Sequence, residues 1–157
     1  MSDAFVRQLE ALEPFAECGG RDFAHIERLG TTLDVRAGSV LCREGTAADQ
    51  WFVIVSGAAA VTRRGQATGT VMPGEWFGPL GPCDPHGVQT DTAIALGPTR
   101  VLVFGRQEYK ALLLLCPRVR LVRWHPITAV DVRPPVAPVE GDVADSPPAV
   151  PAVADRP

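Results

Sequence analysis

Short apolar runs separated by single glycines fill the first two-thirds of this chain, and they restrict it to a fold of short strands with tight corners. Gly38-Ser39-Val40-Leu41 is followed by Glu44-Gly45, by Trp51-Phe52-Val53-Ile54-Val55-Ser56-Gly57, and by Val71-Met72-Pro73-Gly74-Glu75-Trp76-Phe77-Gly78. A glycine at each corner takes positive φ without a Cβ clash. Strands punctuated in this way predict a mainly β fold, a small jelly-roll β-barrel. Leu33 and Val35 alternate, whereas Trp51 to Val55 is the continuous apolar run of a buried strand. Thr92 to Leu96 and Val101 to Phe104 complete the set, and Arg63-Arg64-Gly65-Gln66 reads as a hairpin tip.

Helices flank these strands. Phe5, Leu9, Leu12 and Phe15 recur at helical spacing over residues 4–16, and a second short helix is predicted over residues 22–29, capped by Asp22. After the strands, residues 106–115 form a helix with Tyr109, Leu112 and Leu113 inward, ended by Pro117, and a short continuation over residues 118–124 stops at Pro126. From Arg133 onward Pro, Ala, Val and Asp dominate. Pro134-Pro135, Pro138, Pro147-Pro148 and Pro151 forbid regular structure, so a disordered tail is expected. The organisation is therefore N-terminal helices over 1–30, a β-barrel with its closing helix over 31–125, and a tail over 126–157.

At 157 residues and 46% hydrophobic content the chain supports one domain with a core that needs no staple. Cys18, Cys42, Cys83 and Cys116 are scattered, with no C-x-x-C pair and no histidine at zinc-ligand spacing, so no metal site is indicated and a reducing cytoplasm is expected. Cys42 and Cys116 read as small buried hydrophobes. No apolar window is long enough to span a membrane, and the first residues carry no signal-peptide core. A net charge of -3 gives no electrostatic footprint for nucleic acid.

The order of these pieces resembles the cyclic nucleotide-binding domain family, the sensory half of catabolite-activator-type regulators and the regulatory module of some kinases and channels. Pro14-Phe15 before a short helix, the corners at Gly38, Glu44-Gly45 and Ser56-Gly57, Pro73-Gly74, Phe77-Gly78, the strand from Thr92 to Ala95, and Val101 to Phe104 with Tyr109, Leu112-Leu113 and Pro117 match the family in order over about residues 12–122. The resemblance implies a phosphate-binding cassette that takes in Gly74, Phe77, Gly78, Pro79, Leu80, Gln89, Thr90 and Thr92. Regulators of the catabolite-activator type continue into a dimerisation helix and a helix-turn-helix. The residues after Trp124 are proline-broken and acidic, so DNA binding of that kind is not expected.

A cyclic nucleotide presents one phosphate charge and a ribose hydroxyl, so its pocket needs a cation or clustered backbone N–H groups, together with a hydroxyl acceptor. In the family a glutamate after Phe-Gly takes the hydroxyl and an arginine three residues before the strand threonine takes the phosphate. Here those positions read Pro79 and Gln89. Pro79, Pro82 and Pro85 each remove an amide donor, while Asp84 and Asp91 add negative charge. Losing a buried bidentate arginine forfeits about 2–5 kcal/mol. Arg63 or Arg64 is the substitute cation to consider, but the hairpin tip is expected far from the pocket. His86 reads as a solvated turn residue and Trp76 as a core plug in preference to a purine platform.

Catalysis finds no support. No nucleophile sits in an elbow context, no phosphate-loop lysine follows Gly78, and His25, His86 and His125 are too scattered for the metal of a cupin. The expectation is a non-enzymatic regulatory or protein-interaction module, with a degenerate cassette and no cofactor, cAMP or cGMP being the ligands in question, that works through a protein partner or a homodimer. The alternative is a true cyclic nucleotide or small-anion sensor with an altered cassette that signals to a separate partner. Six basic residues against Glu108 between Arg100 and Trp124, and five acids against two arginines from Asp131 on, leave two readings of Arg118, Arg120 and Arg123: a docking surface, or a solvated helix face.

Overall fold

The computed structural model describes residues 2–78, 87–120 and 122–123, the last two by their backbone alone. These residues fall within one compact unit, Met1–Pro126. The proposed tail and the continuation at Trp124 lie outside the described residues.

Helix α1 (Asp3–Glu10) starts where the Ser2 hydroxyl accepts from the Phe5 amide at 3.3 Å. It stops earlier than expected, because the Pro14 ring and missing N–H break the helical pattern, and residues 13–15 form a single 3₁₀ turn. Helix α2 (Gly20–Leu29) begins at Gly19, not at Asp22. Asp22 sits three residues inside and its carboxylate reaches back to accept from the Gly19 amide at 2.9 Å.

Nine strands are found among the described residues: β1 (Thr31–Val35), β2 (Val40–Cys42), β3 (Gln50–Ser56), β4 (Ala59–Arg63), β5 (Gln66–Val71), β6 (Glu75–Phe77), β7 (Thr92–Ala95), β8 (Thr99–Gly105) and β9 (Val122–Arg123). They make two sheets, β1-β8-β3-β6-β9 and β2-β7-β4-β5. The jelly roll is thus an open sandwich of two sheets, not one closed barrel. The β4–β5 hairpin lies where the sequence predicts its tip, and it turns at Arg64 (φ 53°) and Gly65 (φ 79°), the paired positive φ values of a type I′ turn.

Strand β3 shows why its apolar run is continuous. Trp51, Val53 and Val55 face the helices, in a cluster with Phe5, Leu9, Phe15, Phe23, Ile26 and Phe104. Phe52 and Ile54 face the second sheet and pack with Ala59, Val61, Val71, Ala93, Val101 and Val103. A strand between two layers buries both faces, so alternation disappears from its sequence. Strand β6 repeats the division, with Trp76 in the helix-side cluster and Phe77 between the sheets. Trp76 is a core residue tilted against Tyr109 (centroids 5.6 Å apart), and Trp51 stacks on the same ring at 4.4 Å.

Helix α3 occupies Arg106–Leu115 as predicted, with Tyr109 and Leu112 buried. Leu113 is not inward: it is exposed, as are Leu114 and Leu115. The expected continuation is not a helix among the described residues. Pro117 supplies no amide, Arg120 donates its own to the Pro14 carbonyl at 2.9 Å, and β9 pairs in parallel with β6. Arg118 and Arg120 are largely exposed, as a solvated face requires, but they do not lie on a helix. Their guanidinium groups meet Asp22 (3.1 Å), in α2, and Glu17 (3.0 Å), in the turn before it.

Candidate functional site

The chain approaches the predicted cassette along β6 and leaves it along β7. Gly74 donates its amide to the Ile54 carbonyl at 2.8 Å, anchoring the start of β6 to β3. Phe77 stacks on Phe52 (5.0 Å, 11° between planes), which plugs the inner face below the entrance. Gly78 has φ 156°, and a Cβ there would stand 2.9 Å from both the Gln50 carbonyl and Trp51 Cδ1. Only glycine lets the backbone pass so close to β3. Pro79 and Leu80, with Pro82, Asp84, Pro85 and His86, lie outside the described residues.

On the outgoing side, residues 87–92 run beside residues 44–48. Ala48 donates to the Gly87 carbonyl (2.9 Å), Gln89 exchanges amide bonds with Thr46 and Gly45 (2.8 Å each), and Ala47 bridges Val88. Gln89 is buried. Its amide and carbonyl are both committed to this pairing. Thr92 accepts from the Glu44 amide at 3.0 Å, so this threonine serves the corner at Gly45.

A cation does reach this region, from a place the sequence reading set aside. The Arg63 guanidinium lies against Thr90 and Asp91, beside the predicted cassette residue Gln89; the expectation that the hairpin tip is far from the pocket concerns residues 79–86, which lie outside the described residues. Its Nε donates to Asp91 Oδ1 at 3.0 Å and its Nη2 to Asp91 Oδ2 at 2.9 Å, with a longer contact to Thr90 Oγ1 at 3.5 Å. The Thr90 hydroxyl donates to the same carboxylate at 2.7 Å. Hydrogen bonding to Asp91, with smaller attraction from Asp91 and Glu44, holds Arg63 still more firmly in its charged form. Arg64 turns its amide, not its guanidinium, to Glu44 Oε1 at 3.1 Å. Strand parity carried this signal: Arg63 lies two and four positions beyond Val61 and Ala59, and Asp91 two and four before Ala93 and Ala95.

Elsewhere the chemistry is quiet. Burial, then the Asp22 and Cys116 charges, push the Cys18 thiol up to about 11, and burial does the same to Cys42. Such thiols are poor nucleophiles at neutral pH. Among the described residues no three His, Cys, Asp or Glu side chains could hold a metal ion, and no helix is long and apolar enough to cross a membrane.

The sequence pattern of the cyclic nucleotide-binding domain matches residues 32–114, more than half of the chain. The chain belongs to the cyclic nucleotide-binding domain family. Among solved structures of similar fold is the N-terminal domain of a transcriptional regulator from Streptomyces coelicolor A3(2), 25% identical, with a TM-score of 0.57 over 71% of this chain and 83% of that one. The catabolite activator protein of Thermus thermophilus is 22% identical, with a TM-score of 0.57 over 68% and 52%. The regulatory subunit of a cAMP-independent protein kinase A from Trypanosoma brucei is 13% identical, with a TM-score of 0.61 over 74% and 42%. This chain spans about half or less of the latter two proteins. No protein of curated function matches it.

Proposed function

We propose that this cyclic nucleotide-binding domain is a non-enzymatic regulatory or protein-interaction module that does not bind cAMP by the family's usual route. One observation carries the reading. The guanidinium that meets the outgoing cassette strand, Arg63, is held on both prongs by Asp91, while the position at which the family carries its phosphate arginine is Gln89. A phosphate entering there would meet a spent cation and an adjacent carboxylate, and like charges at short range oppose binding.

The regulatory role is supported by the family and by the named relatives, a transcriptional regulator domain, a catabolite activator and a kinase regulatory subunit. A protein partner or a second copy is the target in this reading. A net charge of -3 gives no electrostatic case for nucleic acid, and the cytoplasm is the compartment such a module serves. Titration calorimetry of the natural chain with cAMP and with cGMP tests the reading: no saturable heat is expected. Saturable binding of either nucleotide would establish instead a true sensor with an altered cassette.

A further inference from the structure

Arg63 and Asp91 face each other across the inner side of the four-stranded sheet. The β4–β7 ladder pairs Ala59 with Ala95, Val61 with Ala93 and Thr62 with Thr92. Just beyond the last of these pairs the side chains of Arg63 and Asp91 meet, at the strand parity of the buried Ala59, Val61, Ala93 and Ala95. A charge at the end of an apolar inner face is costly unless it is matched. The match here is two-pronged, and its carboxylate is the deeper partner: the Asp91 side chain is 16% exposed and that of Arg63 41%.

An arginine fork joined by a hydroxyl donor is a ligand set suited to a compact oxyanion. In this chain two carboxylate oxygens already sit on that set. We propose that Arg63 and Thr90 form an oxyanion site that the chain's own Asp91 fills as a tethered counter-anion. The inference rests on the reading that the module does not take cAMP by the usual route, and it adds what occupies the cation instead. Tethering gives Asp91 an effective concentration that a free anion at cellular levels does not match. Glu44, whose charge acts on Arg63 and whose carboxylate accepts from the Arg64 amide, adds further repulsion toward an incoming anion. The site is therefore shut in the natural protein and opens when the Asp91 charge is removed.

Inorganic phosphate is the probe and Asp91→Asn the variant, since the amide keeps the shape and removes the charge. Calorimetry at constant ionic strength is expected to give phosphate binding to D91N tighter than to the natural chain by about tenfold or more. The double variant R63Q/D91N is expected to lose it. Equal phosphate affinity in D91N and the natural chain, or binding that survives in R63Q/D91N, would overturn the proposal. Far-UV circular dichroism and a cooperative melt establish that each variant is folded, and Asp91→Ser, which also vacates the fork, is read in the same way if the amide variant is not. Titrating the natural chain with cAMP in parallel separates the two claims. Nucleotide binding there contradicts the functional reading, whereas phosphate binding in D91N is decided independently of it.

Discussion

Asp22 illustrates how one side chain serves both local structure and long-range packing. Its carboxylate accepts from the Gly19 amide at the start of α2 and from Arg118 across 96 positions of sequence. The Gly19 hydrogen bond, opposed by burial and aided by Arg118, lowers its pKa below the ordinary value of 3.8. A carboxylate whose pKa falls on folding stabilises the fold above its unfolded-state pKa and loses that contribution as pH falls through the folded-state value. Asp22→Asn is therefore expected to cost about 1–3 kcal/mol at pH 7, with the gap to the natural chain closing below about pH 4. Urea denaturation across that range checks it, and a gap independent of pH would contradict this role. At the same scale, the resemblance reads Gln89 at the position where the family carries its phosphate arginine, a comparison that needs residue identity alone. Strand parity places Arg63 on the face of Ala59 and Val61, but parity alone does not say which residue of the neighbouring strand stands opposite, so the meeting of Arg63 with Asp91 was not legible.

Among the elements, β3 and α3 were readable because their patterns are local. Trp51 to Val55 is apolar at every position since both faces of β3 are covered, and α3 begins and ends as its periodicity and Pro117 dictate. The exposure of Leu113 was not readable. Four consecutive leucines give no periodicity from which to choose a face, and the fold buries Leu112 while leaving Leu113, Leu114 and Leu115 outside. Leu112→Ala is expected to destabilise by about 2–5 kcal/mol, and Leu113→Ala by no more than about 0.5 kcal/mol. Equal losses in chemical denaturation would mean that Leu113 packs inward after all. The segment after Pro117 is expected from sequence as a short continuation of the helix over residues 118–124. The backbone instead finds its partners at Pro14 and on the open edge of β6, and such long-range hydrogen bonds leave no trace in composition.

For the whole molecule, the family resemblance rested on corners and apolar runs in order, features that fix topology, and the two-sheet sandwich with flanking helices follows from them. Function depends on a handful of polar positions that topology does not dictate, which is why the same fold is compatible with a working cassette and with one closed by its own carboxylate. A chain ending at Arg133 is expected to keep the unfolding midpoint and far-UV signal of the full chain, because the removed sequence is too rich in proline and acid to add to a core. A loss of cooperative unfolding would place that sequence in the core. The central claim, that the cation at the cassette is spent on Asp91, is tested most directly by the melting temperature of the natural chain with and without cAMP. A ligand at a hundred times its dissociation constant stabilises by about 2.7 kcal/mol, which in a domain of this size raises Tm by several degrees. The account predicts no change in Tm at physiological cAMP; a rise of several degrees would contradict it.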